Sequence, residues 1–358
     1  MPARVGRKTN GSHRSDAVQR LLRCPVADSE VHIGDDPLGR LVTRKGGQPA
    51  RIYLHSRLEV YEQQIEPLNI RHALLIPTPT YELKLASGEV ERSCLWSMGG
   101  GITYKKITMT NLAVSEEVNP RQPYINMNRY LLGRARSENA RLGESIFHFV
   151  PLFHPKLDNK ANIEEFLNDP LTVAVKVHGI ATHTSPADMP AWAPKLLSRY
   201  DKPFFFHTDY QKSTYTRSRA EGDIASANSA IKWAGWVAKN GTRAYLAHGA
   251  RLDLGVASMM EKSGKEDLVV GVGPDLLLNH ERERLAKDVN YLTALLDMFP
   301  SKRVLFSSDF AWNITPNSEE VCDWDSKRRV VEGAIGLGIE EKEIEGILMG
   351  NAVRFFKL

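Results

Sequence analysis

Short runs of apolar and β-branched residues recur eight times along the chain, at 29–33, 72–77, 146–151, 172–178, 203–207, 243–248, 268–273 and 303–308. Each has the length and content of a buried strand. Segments with helical periodicity lie between most of them, at 56–68, 123–140, 188–199, 224–239, 252–262, 285–298 and 326–337. Strand and helix in alternation predict a parallel α/β sheet covered by helices. Eight strands is the number with which a (β/α)8 TIM-type barrel closes, and no Gly-x-Gly-x-x-Gly turn follows the first strand to suggest an open dinucleotide-binding sheet. Residues 342–349 and 351–355 read as helices closing the far side.

Two stretches interrupt this rhythm. Residues 78–121 form a long connection after strand 2, carrying Pro77-Thr-Pro-Thr80 and the glycines 99–101. Connections of this length in compact domains are usually lids or binding elements. This one follows the catalytic end of its strand and is expected to cover the site. Residues 1–23 hold Arg4, Arg7, Lys8, Arg14, Arg20 and Arg23 against Asp16 alone, and read as a flexible basic leader. The domain reading is therefore one barrel over 24–358 with an insertion at 78–121.

Composition narrows the class. Hydrophobic residues at 42% and charged residues at 25% supply an ordinary globular core. The net charge of +4 is small for 358 residues, and without interleaved aromatics the basic leader gives no nucleic-acid signature. Cys24, Cys94 and Cys322 are too widely spaced for a paired metal site and odd in number, which points to a reducing, cytoplasmic compartment. No apolar stretch reaches the roughly 18 residues of a membrane span. The expected partner is a small-molecule substrate, with neither nucleic acid nor membrane.

Four strands end in residues that bind metals. Glu30 and His32 sit two apart on the first, so their side chains leave the same face and grip one ion together. His207 follows three phenylalanines, His248 precedes Gly249, and Asp309 closes the last run, Arg303-Val-Leu-Phe-Ser-Ser-Asp309. Strand C-termini are where a barrel keeps its chemistry. Imidazole and carboxylate donors suit zinc first, or manganese or iron. Glu30, His32, His207 and Asp309 are the expected ligands of one divalent ion, which with open positions would depress the pKa of bound water. Asp309 and His248 are the catalytic candidates, His248 as proton carrier beside the ion. Lys176 and His178 share one face of strand 4; Lys176 is read as a grip for a substrate carboxylate, as a charge neutralised by nearby acids or, carbamylated, as a bridge between two metals. His183 and Arg251 complete the substrate-binding candidates, whereas His148 and His154 read as structural.

The segments Val175-Lys-Val-His, Lys202-Pro-Phe-Phe-Phe-His-Thr, Tyr245-Leu-Ala-His-Gly, Arg303-Val-Leu-Phe-Ser-Ser-Asp-Phe and Ile347-Leu-Met-Gly-Asn-Ala-Val-Arg-Phe-Phe occur in an order that resembles the amidohydrolase-related family. This branch of the amidohydrolase superfamily includes aminocarboxymuconate semialdehyde decarboxylase and the aromatic acid decarboxylases. The resemblance runs from about residue 26 to the end and is weakest across 78–145. It implies a metal-dependent distorted barrel with ligands on strands 1, 5 and 8, matching Glu30, His32, His207 and Asp309, and a strand 6 histidine, His248. It also implies a homodimer. Most members carry His-x-His on strand 1, whereas this chain has Glu30-x-His32. The acid variant occurs among the nonoxidative decarboxylases of the branch, and it lowers the charge of the centre by one. The expected activity is hydrolysis of a small carboxylated or cyclic compound through a metal-bound water. The alternative is a carboxy-lyase acting on an aromatic or enolic acid, and the third reading is a catalytically silent barrel that binds a partner.

Overall fold

The computed structural model describes residues 11–35, 40–43, 49–52, 55–56, 58–78, 81–84, 90–98, 101–109, 124–182, 184–208, 226–263, 267–272, 291–310 and 326–358. Eight parallel strands organise them: β1 Val26–Asp35, β2 Ile70–Pro77, β3 Phe147–Phe149, β4 Val175–Val177, β5 Phe204–Phe206, β6 Ala244–Leu246, β7 Leu268–Val272 and β8 Val304–Phe306. They coincide with the eight runs read from the sequence. β1, β2 and β3 pair in parallel, as do β4 to β8 in consecutive order. Single bridges link the two sheets at both seams: Phe149 with Thr172 and Leu152 with Lys176 on one side, Val31 with Phe310 on the other. The strands thus follow one another around a (β/α)8 barrel.

Alternation along each strand divides the core in two. Leu75, Phe149, Val175, Val177, Phe204, Phe206, Leu246, Val270 and Val304 pack outward with helix residues such as Leu196, Trp233 and Val331. Leu74, Ile76, Val150, Leu152, Phe205, Tyr245, Val269 and Leu305 fill the interior. Strands buried on both faces must be apolar throughout, which is why each reads as a continuous run. Gly271 makes room inside the barrel, because a Cβ there would meet the Tyr245 hydroxyl at 1.8 Å. Phe355 and Phe356 of the C-terminal helix Asn351–Phe356 join the interior cluster. Arg243, just before β6, donates to the Phe355 carbonyl at 2.8 Å, so this helix stops the N-terminal end of the barrel. The C-terminal end is left for chemistry.

The predicted helices are found at Leu58–Glu62 with Ile65–Leu68, Ile125–Leu142, Trp192–Arg199, Ala230–Asn240, Leu254–Ser263, Tyr291–Met298 and Ser326–Gly336. Lys160–Leu167, capped by Asn159 accepting from the Asn162 amide, adds a helix between β3 and β4. The expected flexible leader needs correction over its second half. Gly11–Leu22 is a helix, because Val18, Leu21 and Leu22 recur at helical spacing and pack into the core. The Lys327 ammonium fixes its end, donating to the carbonyls of Leu22, Cys24 and Leu68, each at 2.8 Å. Inside 78–121 lies an antiparallel meander, Tyr81–Lys84, Val90–Met98 and Gly101–Met109. Met98 pairs with Gly101 across the dipeptide Gly99-Gly100, a hairpin signal in the sequence. A second hairpin, Arg40–Thr43 with Pro49–Ile52, follows β1 and was not anticipated. Among the described residues no helix is long and apolar enough to cross a membrane.

His148 on β3 and His72 on β2 approach to 2.9 Å between ring nitrogens. Burial, followed by the charges of His72 and Lys202, pushes His148 down to about 4. An unfolded histidine titrates near ~6.5, so between these values the unfolded chain binds more protons. The pair's stability is complete above that range and declines as pH falls, by up to ~3 kcal/mol for His148. In urea unfolding from pH 7 to 4, His148→Leu is expected to lose less stability than the wild type; equal losses would show that His148 does not carry the effect.

Candidate metal centre

The site begins at the seam between β1 and β8. The register of β1 against β2 shifts between Asp28 and Val31, and Asp28 is turned into the seam. Its Oδ1 accepts the Ser308 amide at 2.8 Å and the Glu30 amide at 3.4 Å. Its Oδ2 accepts the Ser308 hydroxyl at 2.5 Å and the Tyr61 hydroxyl at 2.8 Å. Burial lifts the Asp28 carboxyl to about 6 although Ser308, Tyr61 and Glu30 all donate to it. Beyond the clamp the His32 amide donates to the Phe310 carbonyl at 2.6 Å. Residues 28 to 32 and 307 to 310 are thereby locked side by side.

Glu30, His32 and Asp309 emerge together from this seam, all buried, with donor atoms within 4.8 Å of one another. His32 Nε2 lies 3.4 Å from Glu30 Oε1 and 3.5 Å from Asp309 Oδ1. Donors held ~2.1 Å from one ion at tetrahedral angles stand about 3.4 Å apart. The spacing and chemistry of this group fit a divalent metal ion. The Lys176 ammonium touches the same donors, 2.6 Å from Glu30 Oε1 and 3.1 Å from His32 Nε2, so they already converge on a cation. Tyr245 and Ser307 hydroxyls stand 3.4 Å from Glu30 Oε2. Burial alone would raise Glu30, but Lys176, His32 and His248 outweigh it and hold the carboxyl well below its usual range. Burial and then Lys176 push His32 down to about 4 against the pull of Glu30. At neutral pH His32 is an uncharged imidazole, the form that ligates.

His178, His207 and His248 form a second group beside the triad. His178 stacks on His207 with centroids 3.9 Å apart, and His207 Nδ1 meets His248 Nε2 at 3.0 Å. Burial first, then neighbouring positive charges, holds both His178 and His207 well below the ordinary histidine range. Among the described residues the structure therefore gathers three of the four expected ligands, while His207 contacts His178 and His248 instead. Arg251 donates from Nε to the Thr208 carbonyl at 3.1 Å and is close enough to depress His207. Lys176 is engaged by Glu30, the neutralised-charge reading of its three. His183 lies outside the described residues. His154 and Asp158 make a turn, the His154 amide donating to Asp158 Oδ2 at 2.7 Å.

The backbone under these residues is unusual. His248, Gly249, Ala250, Arg251 and Leu252 all have φ between 48° and 56°, and Asp309 has φ 50°. Left-handed conformation costs a non-glycine residue about 1–2 kcal/mol. Such strain clusters at functional sites. Sequence reasoning did not anticipate Asp28, Tyr61, Ser308 or Tyr245. Asp28, two residues before Glu30, Ser308, next to Asp309, and Tyr245, three before His248, stood beside predicted site residues, whereas Tyr61 comes from a distant segment and carried no signal.

Asp28→Ala removes the acceptor for two buried hydroxyls and two amides, and is expected to lower stability by about 2–4 kcal/mol. Asp28→Asn keeps one acceptor oxygen and is expected to lose less than half as much. Urea unfolding of both variants decides; equal losses would rule out the clamp.

The Amidohydrolase family model matches residues 124–358. Among solved structures, the chain is similar to Metarhizium anisopliae IDCase in apo form, with 12% identity, 94% of this chain and 98% of that one covered and a TM-score of 0.53. A putative 2-pyrone-4,6-dicarboxylic acid hydrolase from Pseudomonas putida matches with 16% identity, coverage of 94% and 98% and a TM-score of 0.52. For 2,6-dihydroxybenzoate decarboxylase from Rhizobium the values are 14% identity, coverage of 85% and 89% and a TM-score of 0.52. No curated protein matches the sequence. At these identities the likeness is one of fold, and it agrees with the barrel described above. The family match spans β3 to β8, six of the eight barrel strands; with it, the chain belongs to the amidohydrolase family.

Proposed function

We propose that this protein is a metal-dependent hydrolase acting on a small carboxylated or cyclic organic compound. The observation that carries the reading is the buried Glu30, His32 and Asp309 triad, with donors 3.4 and 3.5 Å apart at the mouth of a barrel. His207, expected as a fourth ligand, stands outside this converging group, with Nδ1 3.0 Å from His248 Nε2. Zinc suits these donors best, and manganese or iron is accepted by the same set. A divalent ion held there supplies Lewis acidity and brings the pKa of water towards neutrality.

The protein's own groups do the rest. His248 shares Nε2 with His207, so it exchanges protons with the substrate through Nδ1. Asp309 would help hold the ion and, beside it, would hold a substrate proton. Arg251, fixed by Thr208, receives a substrate carboxylate. His178 lines the pocket as a neutral ring stacked on His207. Val90–Met98 of the 78–121 insertion lies against Gly179–Thr182, immediately after His178, and this supports the insertion as a lid that sets specificity.

The alternative, a carboxy-lyase, draws its support from Glu30, which removes one positive charge relative to a His-x-His centre. Lys176 returns that charge at 2.6 Å. Two carboxylates and one ammonium leave the net charge that a single aspartate gives a His-x-His centre, so hydrolysis is not disfavoured.

Elemental analysis of the purified protein is expected to find about one equivalent of metal, lost with activity in Glu30→Ala and Asp309→Ala. His248→Ala should retain the metal and lose about 10²–10⁴ in turnover. Activated esters and lactones test the hydrolase, and carbon dioxide release from 2-hydroxybenzoate-type acids tests the lyase. An active Asp309→Ala protein would sink the site assignment, and a native protein without metal would favour a silent barrel.

A further inference from the structure

Lys176 has no exposed surface. Its ammonium touches Glu30 Oε1 and His32 Nε2, the two atoms that face each other at 3.4 Å in the triad. It therefore stands among the donors rather than behind them. The residue is also fixed. Its amide donates to the Pro151 carbonyl at 2.9 Å, its carbonyl accepts from the Phe153 amide at 2.8 Å, and Nζ lies 4.3 Å from the centre of the Phe205 ring. A buried carboxylate without a partner is strongly destabilising, and here the ammonium supplies that partner without any ion.

We propose that Lys176 is a built-in competitor for the metal: a fixed cation that shares Glu30 and His32 with the ion, weakens its binding and holds the empty centre together. The inference rests on the metal reading given above. Two cations served by the same donors repel each other in a low-dielectric interior. Glu30 must divide its oxygens between them, Oε1 being already committed to the ammonium. A neutral side chain of similar length removes the repulsion. It also leaves Glu30 unpaired until an ion arrives, so the apo protein should weaken while its affinity for metal rises.

The test is calorimetric titration of chelator-stripped protein with Mn²⁺ and Zn²⁺, together with thermal melts with and without metal. Lys176→Met is expected to bind Mn²⁺ at least tenfold more tightly than the wild type, equivalent to about 1.4 kcal/mol. Its apo form should melt lower, and added Mn²⁺ should raise its melting temperature by more than it raises the wild type's. Lys176→Gln should move the same way, and carries the test if the methionine variant does not fold. Binding by both variants at or below wild-type affinity overturns the competitor role and leaves the metal reading intact, because the wild type still binds. Metal bound by the variants and not by the wild type supports the proposal in its strongest form. Absence of binding in all three proteins overturns the proposal and the metal reading together.

Discussion

The structure depends on the seam where the first strand meets the last. A barrel needs that closure, and among the described residues the ladder between β1 and the end of β8 is one bridge, Val31 with Phe310. Asp28 adds a side-chain clamp to the backbone contact, accepting from both the amide and the hydroxyl of Ser308. The clamp has a geometric benefit. A continuous ladder fixes each residue at a strand position, whereas a side-chain clamp lets β1 shift register while keeping the distance between strands set. Glu30, His32 and Asp309 owe their convergence to this, since two come from one side of the seam and one from the other.

Strain is concentrated where the chemistry is. The left-handed residues His248, Ala250, Arg251, Leu252 and Asp309 together cost on the order of 5 kcal/mol or more by the usual penalty for each. Neighbouring packing must offset this, and the neighbours are among the best buried in the molecule: Phe205, Tyr245, Ala247 and Leu305 are all fully enclosed. The interior layer is thus more than filler beneath the site. It holds the strand ends rigid enough for the turn after β6 to present a histidine and an arginine within five residues.

The fold was legible because parallel strands buried on both faces must be apolar throughout, and short apolar runs are easy to see in sequence. Glu30 and His32 were legible for a similar reason, two residues apart on one strand being a local relation. What stayed hidden was pairing across the barrel. Lys176 is 146 residues from Glu30, and nothing local distinguishes its charge from that of any other lysine. The engagement of His207 by His248 is likewise a relation between strands, so a one-dimensional reading made His207 a ligand equal to the rest. The docked helix Gly11–Leu22 was obscured differently. Its basic residues dominate the composition, while only Val18, Leu21 and Leu22 form the stripe that buries it.

The charge of the centre shows why the two levels of reading belong together. Taken alone, the acid at position 30 implies a centre one unit more negative than a His-x-His site, and therefore a weaker Lewis acid. With Lys176 in place that difference cancels, because the ammonium offsets the added carboxylate at hydrogen-bonding distance. The centre keeps the net charge of its His-x-His counterpart but distributes it differently, with a fixed positive group on one side of the donors and two carboxylates around them. Two carboxylates against one ammonium leave the empty centre formally negative, which suits a cation, while Arg251 stands beside it on the Thr208 carbonyl.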